Sequence, residues 1–242
     1  MNLKEAINVR TSRRTYLETP IAEDKIKQLK NMIDQVNVQG RLCMKLIQEE
    51  PTAFGKLSKS YGMFKGVWNY ILLIGKNEPD MRERLGYHGE KLVLLATQLE
   101  LGTCWVGGTF DRSLGEAYVK EDETFCGVIT IGNVEQTKSF KERLITKLTH
   151  RKTKSVQELS ETEGEVPEWF IDGMEAVQKA PSAVNAQPVL FTYHKGIVSA
   201  RITAKKYGHE KIDLGIAKLH FELGAGGGTW VLKDEGVFTR EA

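Results

Sequence analysis

Apolar positions along this chain alternate between helical spacing and short continuous runs, and that alternation sets out its elements. Leu3, Ala6 and Ile7 predict a short amphipathic helix over 2–8, and Ile26, Leu29, Ile33 and Val36 a longer one from Ala22 to Val36. Strands are expected over Leu42 to Ile47 and Val67 to Gly75, the second fully buried because Tyr70 to Ile74 is continuously apolar. After Pro79 a helix is expected at 80–85 and another at 89–101, where Leu92, Leu95, Ala96 and Leu99 form a stripe that Val93 and Leu94 widen. A helix apolar around so much of its circumference belongs in the core, and Gly102 is placed to cap it. Further strands follow at Thr103 to Phe110 and Thr124 to Ile131, while 51–66, rich in turn formers, reads as a loop or lid.

The pattern restarts at Val166. A helix carrying Trp169, Phe170, Met174 and Val177 leads to strands at Val189 to Tyr193 and Ile197 to Thr203, then to an apolar helix from Asp213 to Leu223. The first central helix closes on Leu-Glu-Leu-Gly102 and the second on Phe-Glu-Leu-Gly224, each followed by a Trp-Val pair. Asn37-Val-Gln39 stands in the first half where Asn185-Ala-Gln187 stands in the second, after a helix and before a strand. One order of elements met twice predicts a pseudo-twofold dimer fused into one chain, with a site at its seam. Residues 1–160 form the first half and 161–242 the second, with the acidic Ser160 to Gly164 as the junction.

Composition narrows the function classes. At 242 residues the chain can bury roughly 70–75% of its unfolded surface, enough for one large domain or two small ones. With 40% hydrophobic and 27% charged residues it has the balance of a soluble globular protein. A net charge of +2 decides nothing about nucleic acid, but aromatic residues are not interleaved with the basic clusters as RNA contacts require, so no nucleic-acid partner is expected. Cys43, Cys104 and Cys126 are too widely spaced for a zinc site and read as reduced thiols. No apolar run is long enough to span a bilayer and the first residues lack a signal-peptide core, so a cytoplasmic location is expected.

Two stretches carry candidate chemistry. If Arg10 to Tyr16 is extended, Arg10, Ser12 and Arg14 line one side, because side chains alternate with a period of two. Two guanidinium forks flanking a hydroxyl suit a phosphate, each contact being worth about 1.5–3 kcal/mol; the bland alternative is a solvated basic turn. The second stretch is Ala180-Pro-Ser-Ala-Val-Asn185-Ala-Gln187-Pro188. Pro181 ends the preceding helix, and Asn185 and Gln187 would point the same way if the chain between them is extended. Such a turn offers backbone N–H groups and two amides to a flat polar molecule; an ordinary helix-to-strand loop is the other reading. Gly107 and Gly108 would let a flat ligand approach the backbone, or would simply form a bulge. Seven Lys and Arg residues between Lys138 and Lys154 read mostly as a solvated connector, of which one or two could reach an anion. Neither a metal cluster nor a nucleophile motif is visible.

Together, Arg10-x-Ser12-x-Arg14, Ala180-Pro-Ser-x-x-Asn-x-Gln-Pro188 and Trp105-Val-Gly-Gly108 resemble the FMN-dependent nitroreductase family, specifically its double-domain branch, in which one chain imitates the usual dimer. The resemblance implies an α+β fold, a mixed β-sheet packed with helices, and FMN at the seam. It implies that Arg10, Ser12 and Arg14 hold the flavin phosphate with Thr11 contributing backbone, and that Gly107 and Gly108 face the isoalloxazine. Pro181, Ser182, Ala183, Asn185 and Gln187 would cross the pseudo-interface, and Lys152 and Lys154 are the nearest match to the family's further basic residues. It also implies hydride transfer from NAD(P)H to a small acceptor such as a nitroaromatic or quinone, with no named acid or base. One FMN per chain is expected, and a monomeric pseudo-dimer or weak homodimer. A flavin carrier or sensor without turnover is the alternative.

Overall fold

The computed structural model describes residues 1–55, 63–149 and 152–240. Helix α1 (Leu3–Val9) opens on a capping box in which the Asn2 side chain and Glu5 satisfy each other's backbone N–H groups. Helix α2 (Glu23–Gly40) buries Ile26, Leu29, Ile33 and Val36, the stripe expected from their spacing. It continues four residues past Val36, so Asn37 and Gln39 belong to its last turn and do not form a counterpart of the Asn185–Gln187 turn. No proline breaks it, and the Asn37 amide instead clips the returning chain, donating to the Met44 carbonyl and accepting from its N–H, both at 2.9 Å.

A short strand β1 (Lys45–Ile47) and the single turn α3 (Thr52–Gly55) precede β2 (Asn69–Lys76). The rest of the expected 51–66 lid lies largely outside the described residues. Helix α4 (Met81–Gln98) is one helix where the spacing suggested two, running unbroken through Gly86 and Gly89. Two residues past its end Glu100 takes the left-handed conformation, with φ 60°, before Gly102 enters β3 (Gly102–Val106). After the short α5 (Arg112–Glu116) comes β4 (Glu123–Gly132). The basic run beyond it is ordered in part as α6 (Phe140–Thr149), followed by the turn α7 (Val156–Leu159). Ser160 to Glu163 is not a linker but an edge strand, β5, paired in parallel with β6 (Val189–His194). Between them lies α8 (Glu168–Gln178); then come β7 (Ile197–Ile202), α9 (Glu210–Gly224), β8 (Thr229–Trp230) and β9 (Gly236–Thr239).

These elements form an α+β fold with two sheets. The first has the order β1-β2-β4-β3, all antiparallel; the second is mixed, with order β5-β6-β7-β9-β8. Without β5 the two orders match strand for strand, each with its long helix between its second and third strands. The first sheet is covered on both faces, which is why β2 is continuously apolar. Ile71 and Leu73 face the main core with the helices, whereas Tyr70, Leu72 and Ile74 face a second cluster with Phe54, Phe64 and Phe110. Over the second sheet, Phe170, Phe191, Phe221, Trp230 and Phe238 pack ring against ring.

Helices α4 and α9 cross where each has a glycine as its sixth residue. A Cβ on Gly86 would lie 2.0 Å from the Ile212 carbonyl oxygen, and one on Gly215 would lie 2.0 Å from that of Glu83. Each glycine therefore meets the opposite carbonyl three residues before the opposite glycine, a self-complementary contact of the kind a twofold axis produces. Two buried pairs span the same crossing. Lys218 Nζ lies 2.6 Å from Glu83 Oε1, and His220 Nε2 lies 3.0 Å from Glu90 Oε1.

Candidate functional site

The Arg10–Tyr16 segment runs extended beside β3, with the Arg13 N–H donating to the Thr103 carbonyl at 2.8 Å. Alternation then sorts its side chains. Arg13 turns inward, where its Nε donates to Glu142 at 3.2 Å and its Nη1 to the Glu135 carbonyl at 2.8 Å. The Glu142 carboxylate also accepts the N–H groups of Arg14 at 2.6 Å, Thr15 at 3.1 Å and Ser139 at 2.9 Å. Burial works against its ionisation, but those donors prevail and hold its pKa down at about 2. Glu142 thus fixes the segment's backbone, and Arg10, Ser12 and Arg14 face the other way, into a cleft.

The cleft has two chambers. One, of about 1280 Å³, is polar and cationic, lined by Arg10, Thr11, Arg14, Lys138, Lys179 and Asn185 among others. The other, of about 650 Å³, is mostly apolar, with Leu73, Cys104, Val106, Gly107, Ile212 and Ile216 in its walls. Ser12, Arg14, Pro181, Ser182 and Val184 line both, so the basic segment near the front of the chain and the proline turn near its back form their common border.

That turn is not extended. Ala183 to Asn185 make one 3-10 turn, and Val184, Asn185 and Gln187 have φ of 48°, 52° and 44°. A β-branched residue in this region costs roughly 1–2 kcal/mol, and the surroundings hold it there. The Ala183 N–H donates to both Asp213 carboxylate oxygens, at 3.1 and 3.2 Å, and the Gln187 N–H to Ser182 Oγ at 3.0 Å. The twist carries Gln187 away from the cleft. It is buried, accepting from the Lys154 N–H at 2.8 Å, while Lys154 Nζ donates to the Gln187 carbonyl at 2.7 Å. Gln187 and Lys154 therefore complete each other's hydrogen bonds. Lys152 is exposed, and neither it nor Gly108 is in the lining of either chamber. Of the paired glycines only Gly107 reaches the apolar chamber, packed beneath the His209 ring.

Further groups line the cleft: Lys138, from the basic run of which one or two residues were expected to reach an anion, and Lys179, His209 and Asp213, which sequence reasoning did not single out. Lys138 is held below the usual lysine range, first by burial and then by Arg13, Arg14 and Arg10 crowding it, against the pull of Glu142. Lys179 stands directly before the Ala180-Pro181 stretch, which was the signal available for it. His209 and Asp213 lie four apart at the start of α9, on one helical face. Burial, aided by the charge of Glu210, pushes the Asp213 carboxyl up to about 7 despite the Ala183 hydrogen bond. Burial and the neighbouring Arg82 lower His209. Behind the border, Glu90 accepts from Trp105 Nε1 at 2.8 Å and lies 3.8 Å from Arg10 Nε. That Nε is buried without a hydrogen-bond partner. Among the described residues no group of three His, Cys, Asp or Glu side chains is placed to hold a metal ion, and no helix is long and apolar enough to cross a membrane.

Among solved structures, a protein from Thermotoga maritima MSB8 described as a "putative nitroreductase" resembles the chain at 24% identity and a TM-score of 0.62, over 98% of this chain and 92% of that one. An FMN-dependent nitroreductase from Clostridium difficile R20291 is similar at 17% identity and a TM-score of 0.46, over 56% and 90% of the two chains. A protein from Clostridium acetobutylicum described as an NADH oxidase is similar at 21% identity and a TM-score of 0.46, over 55% and 89%. Comparison with curated proteins found no match. A family model described as "Putative TM nitroreductase" matches residues 2–225, and the chain belongs to that family.

Proposed function

We propose that the chain is an FMN-dependent oxidoreductase that passes hydride from NAD(P)H to a small acceptor such as a nitroaromatic or quinone. The observation that carries this is the shared border of the two chambers, where a cationic hollow opens directly into an apolar one. FMN has that same division into a phosphate end and a flat ring. Arg10, Thr11, Ser12 and Arg14, joined by Lys138, Lys179 and Asn185, would hold the phosphate. Arg10 Nε, which has Glu90 at ion-pair distance but no hydrogen bond, and the cation-crowded Lys138 fit an anion there, which would satisfy the one and relieve the other. Gly107, Pro181, Ser182 and Ala183 would border the ring, which supplies the redox chemistry when bound. The protein's own part is to place the ring and keep water from one face.

The matched strand orders and reciprocal glycine crossing support a further part of the reading: residues 1–160 and 161–242 act as the two subunits of a dimer fused in one chain. The site then lies at their seam, since Arg10 to Arg14 come from one half and Pro181 to Asn185 from the other. Purification tests the proposal. The protein should be yellow, or turn yellow with FMN, and should bleach on adding NADH or NADPH without oxygen. A protein that stays yellow is a flavin carrier, and one that binds no FMN ends the reading.

A further inference from the structure

A third hollow, of about 730 Å³, adjoins the cleft on the side of the β7–α9 loop and the start of α4. Arg82, Lys205, Lys206 and Lys211 line it together with Gly208 and Glu210. Glu210 is the carboxylate there. Although burial opposes its ionisation, the Lys206 N–H at 2.6 Å and the Tyr207 N–H hold it below the usual range, so its charge is engaged with the loop backbone. Among the described residues Arg82, Lys205 and Lys206 have no carboxylate within ion-pair distance, which leaves the hollow with a surplus of positive charge.

His209 joins this hollow to the cleft. Its neighbours Gly208 and Glu210 line the hollow, while its ring lines the apolar chamber and covers Gly107. Arg82 stands near enough for its charge to act on that ring, and Arg112 Nη1 donates to the Gly107 carbonyl at 3.2 Å. A molecule lying flat in the apolar chamber and extending past His209 therefore meets cations at an edge different from the Arg14 border. We infer that this hollow is an anion subsite, taking a phosphate or carboxylate group carried by the molecule that enters the apolar chamber. The inference rests on the reading of the cleft as the FMN site. Two sources share that chemistry: the 2′-phosphate of NADPH, and an acid group on the acceptor.

The test uses FMN-loaded protein, so that the cationic chamber is already filled. Calorimetry compares 2′,5′-ADP with 5′-AMP, and steady-state KM compares 4-nitrobenzoate with nitrobenzene, for the native chain, Arg82→Gln and the double variant Lys205→Ala/Lys206→Ala. If the dinucleotide supplies the anion, 2′,5′-ADP binds at least roughly tenfold tighter than 5′-AMP, and the variants erase that margin without loss of flavin. If the acceptor supplies it, the variants raise KM for 4-nitrobenzoate and leave that for nitrobenzene. Variants that change neither comparison overturn the inference. Protein that holds no flavin is recognised by its lack of yellow colour before any titration, and it removes the proposed function as well.

Discussion

Arg14 and Asp213 mark the two kinds of work single residues do around this cleft. Arg14 borders both chambers, and among the described residues no hydrogen bond to a neighbouring carboxylate anchors its guanidinium as Glu142 anchors that of Arg13. Arg14→Ala should weaken FMN retention by about 1.5–3 kcal/mol, roughly ten- to a hundredfold in Kd, as read by fluorescence titration. An unchanged Kd would return Arg10 to Arg14 to a solvated turn. Asp213 acts through the Ala183 N–H that it holds. Its folded pKa of about 7 lies above that of an unfolded aspartate, near ~3.9. The folded chain thus keeps a proton that the unfolded chain releases, so stability from this group is full below pH ~4 and is lost as pH rises to ~7. Glu142 tilts the other way: held at about 2, its contribution is present above pH ~4.3 and lost as pH falls toward 2. Asp213→Asn keeps an acceptor for Ala183, so urea midpoints should show the native chain losing ground to this variant from pH 4 to 7. Parallel profiles would show that Asp213 titrates normally.

Among the elements, the α4–α9 crossing is the most constrained. The contact is backbone to backbone, so a Cβ at Gly215 meets the Glu83 carbonyl oxygen, which no rotamer change can move. Gly215→Ala must push the helices apart, and we expect a loss of roughly 3 kcal/mol or more in chemical denaturation. The exposed Gly164, with open space around its Cβ position, is the control: despite its φ of 81°, Gly164→Ala should cost only about 1 kcal/mol. Equal losses at the two positions would deny the crossing its tightness. The same packing explains why spacing alone split α4 in two. The expected gap fell at 86–88, but Gly86 admits the α9 backbone there, as Gly89 admits the Trp105 ring.

In the whole molecule, the long helices that accompany the two sheets are joined by charges buried between them. Lys218 is fully buried and donates to Glu83 and, at 2.7 Å, to the Lys233 carbonyl. Burial raises the Glu83 pKa and lowers that of Lys218, while each partner's charge and their hydrogen bond pull the other back toward its charged form. Lys218→Met should destabilise by about 3–5 kcal/mol by stranding Glu83, and Glu83→Leu in the same chain should restore most of it. A double variant no more stable than the single would show that the pair is not the unit. His220 with Glu90 makes a second such link, and Glu90 in turn lies beside Arg10, so the seam between the sheets and the floor of the cleft share residues.

What the sequence determined by itself was whatever depends on near neighbours: helix and strand stripes, the repeated order, and the facing of Arg10, Ser12 and Arg14, which follows from a period of two. The Pro181 stop was legible for the same reason, because a proline restricts the residue before it wherever it occurs. Tertiary structure decided the rest. The Val184–Gln187 twist, which turns Gln187 toward Lys154, is held by Ser182 and by Asp213 from another helix. Lys138 and Lys179 join Arg14 only because segments 124 and 165 residues further along the chain close with it on one cleft. Local sterics are written residue by residue, whereas the closing of distant segments depends on the packing of the whole core between them.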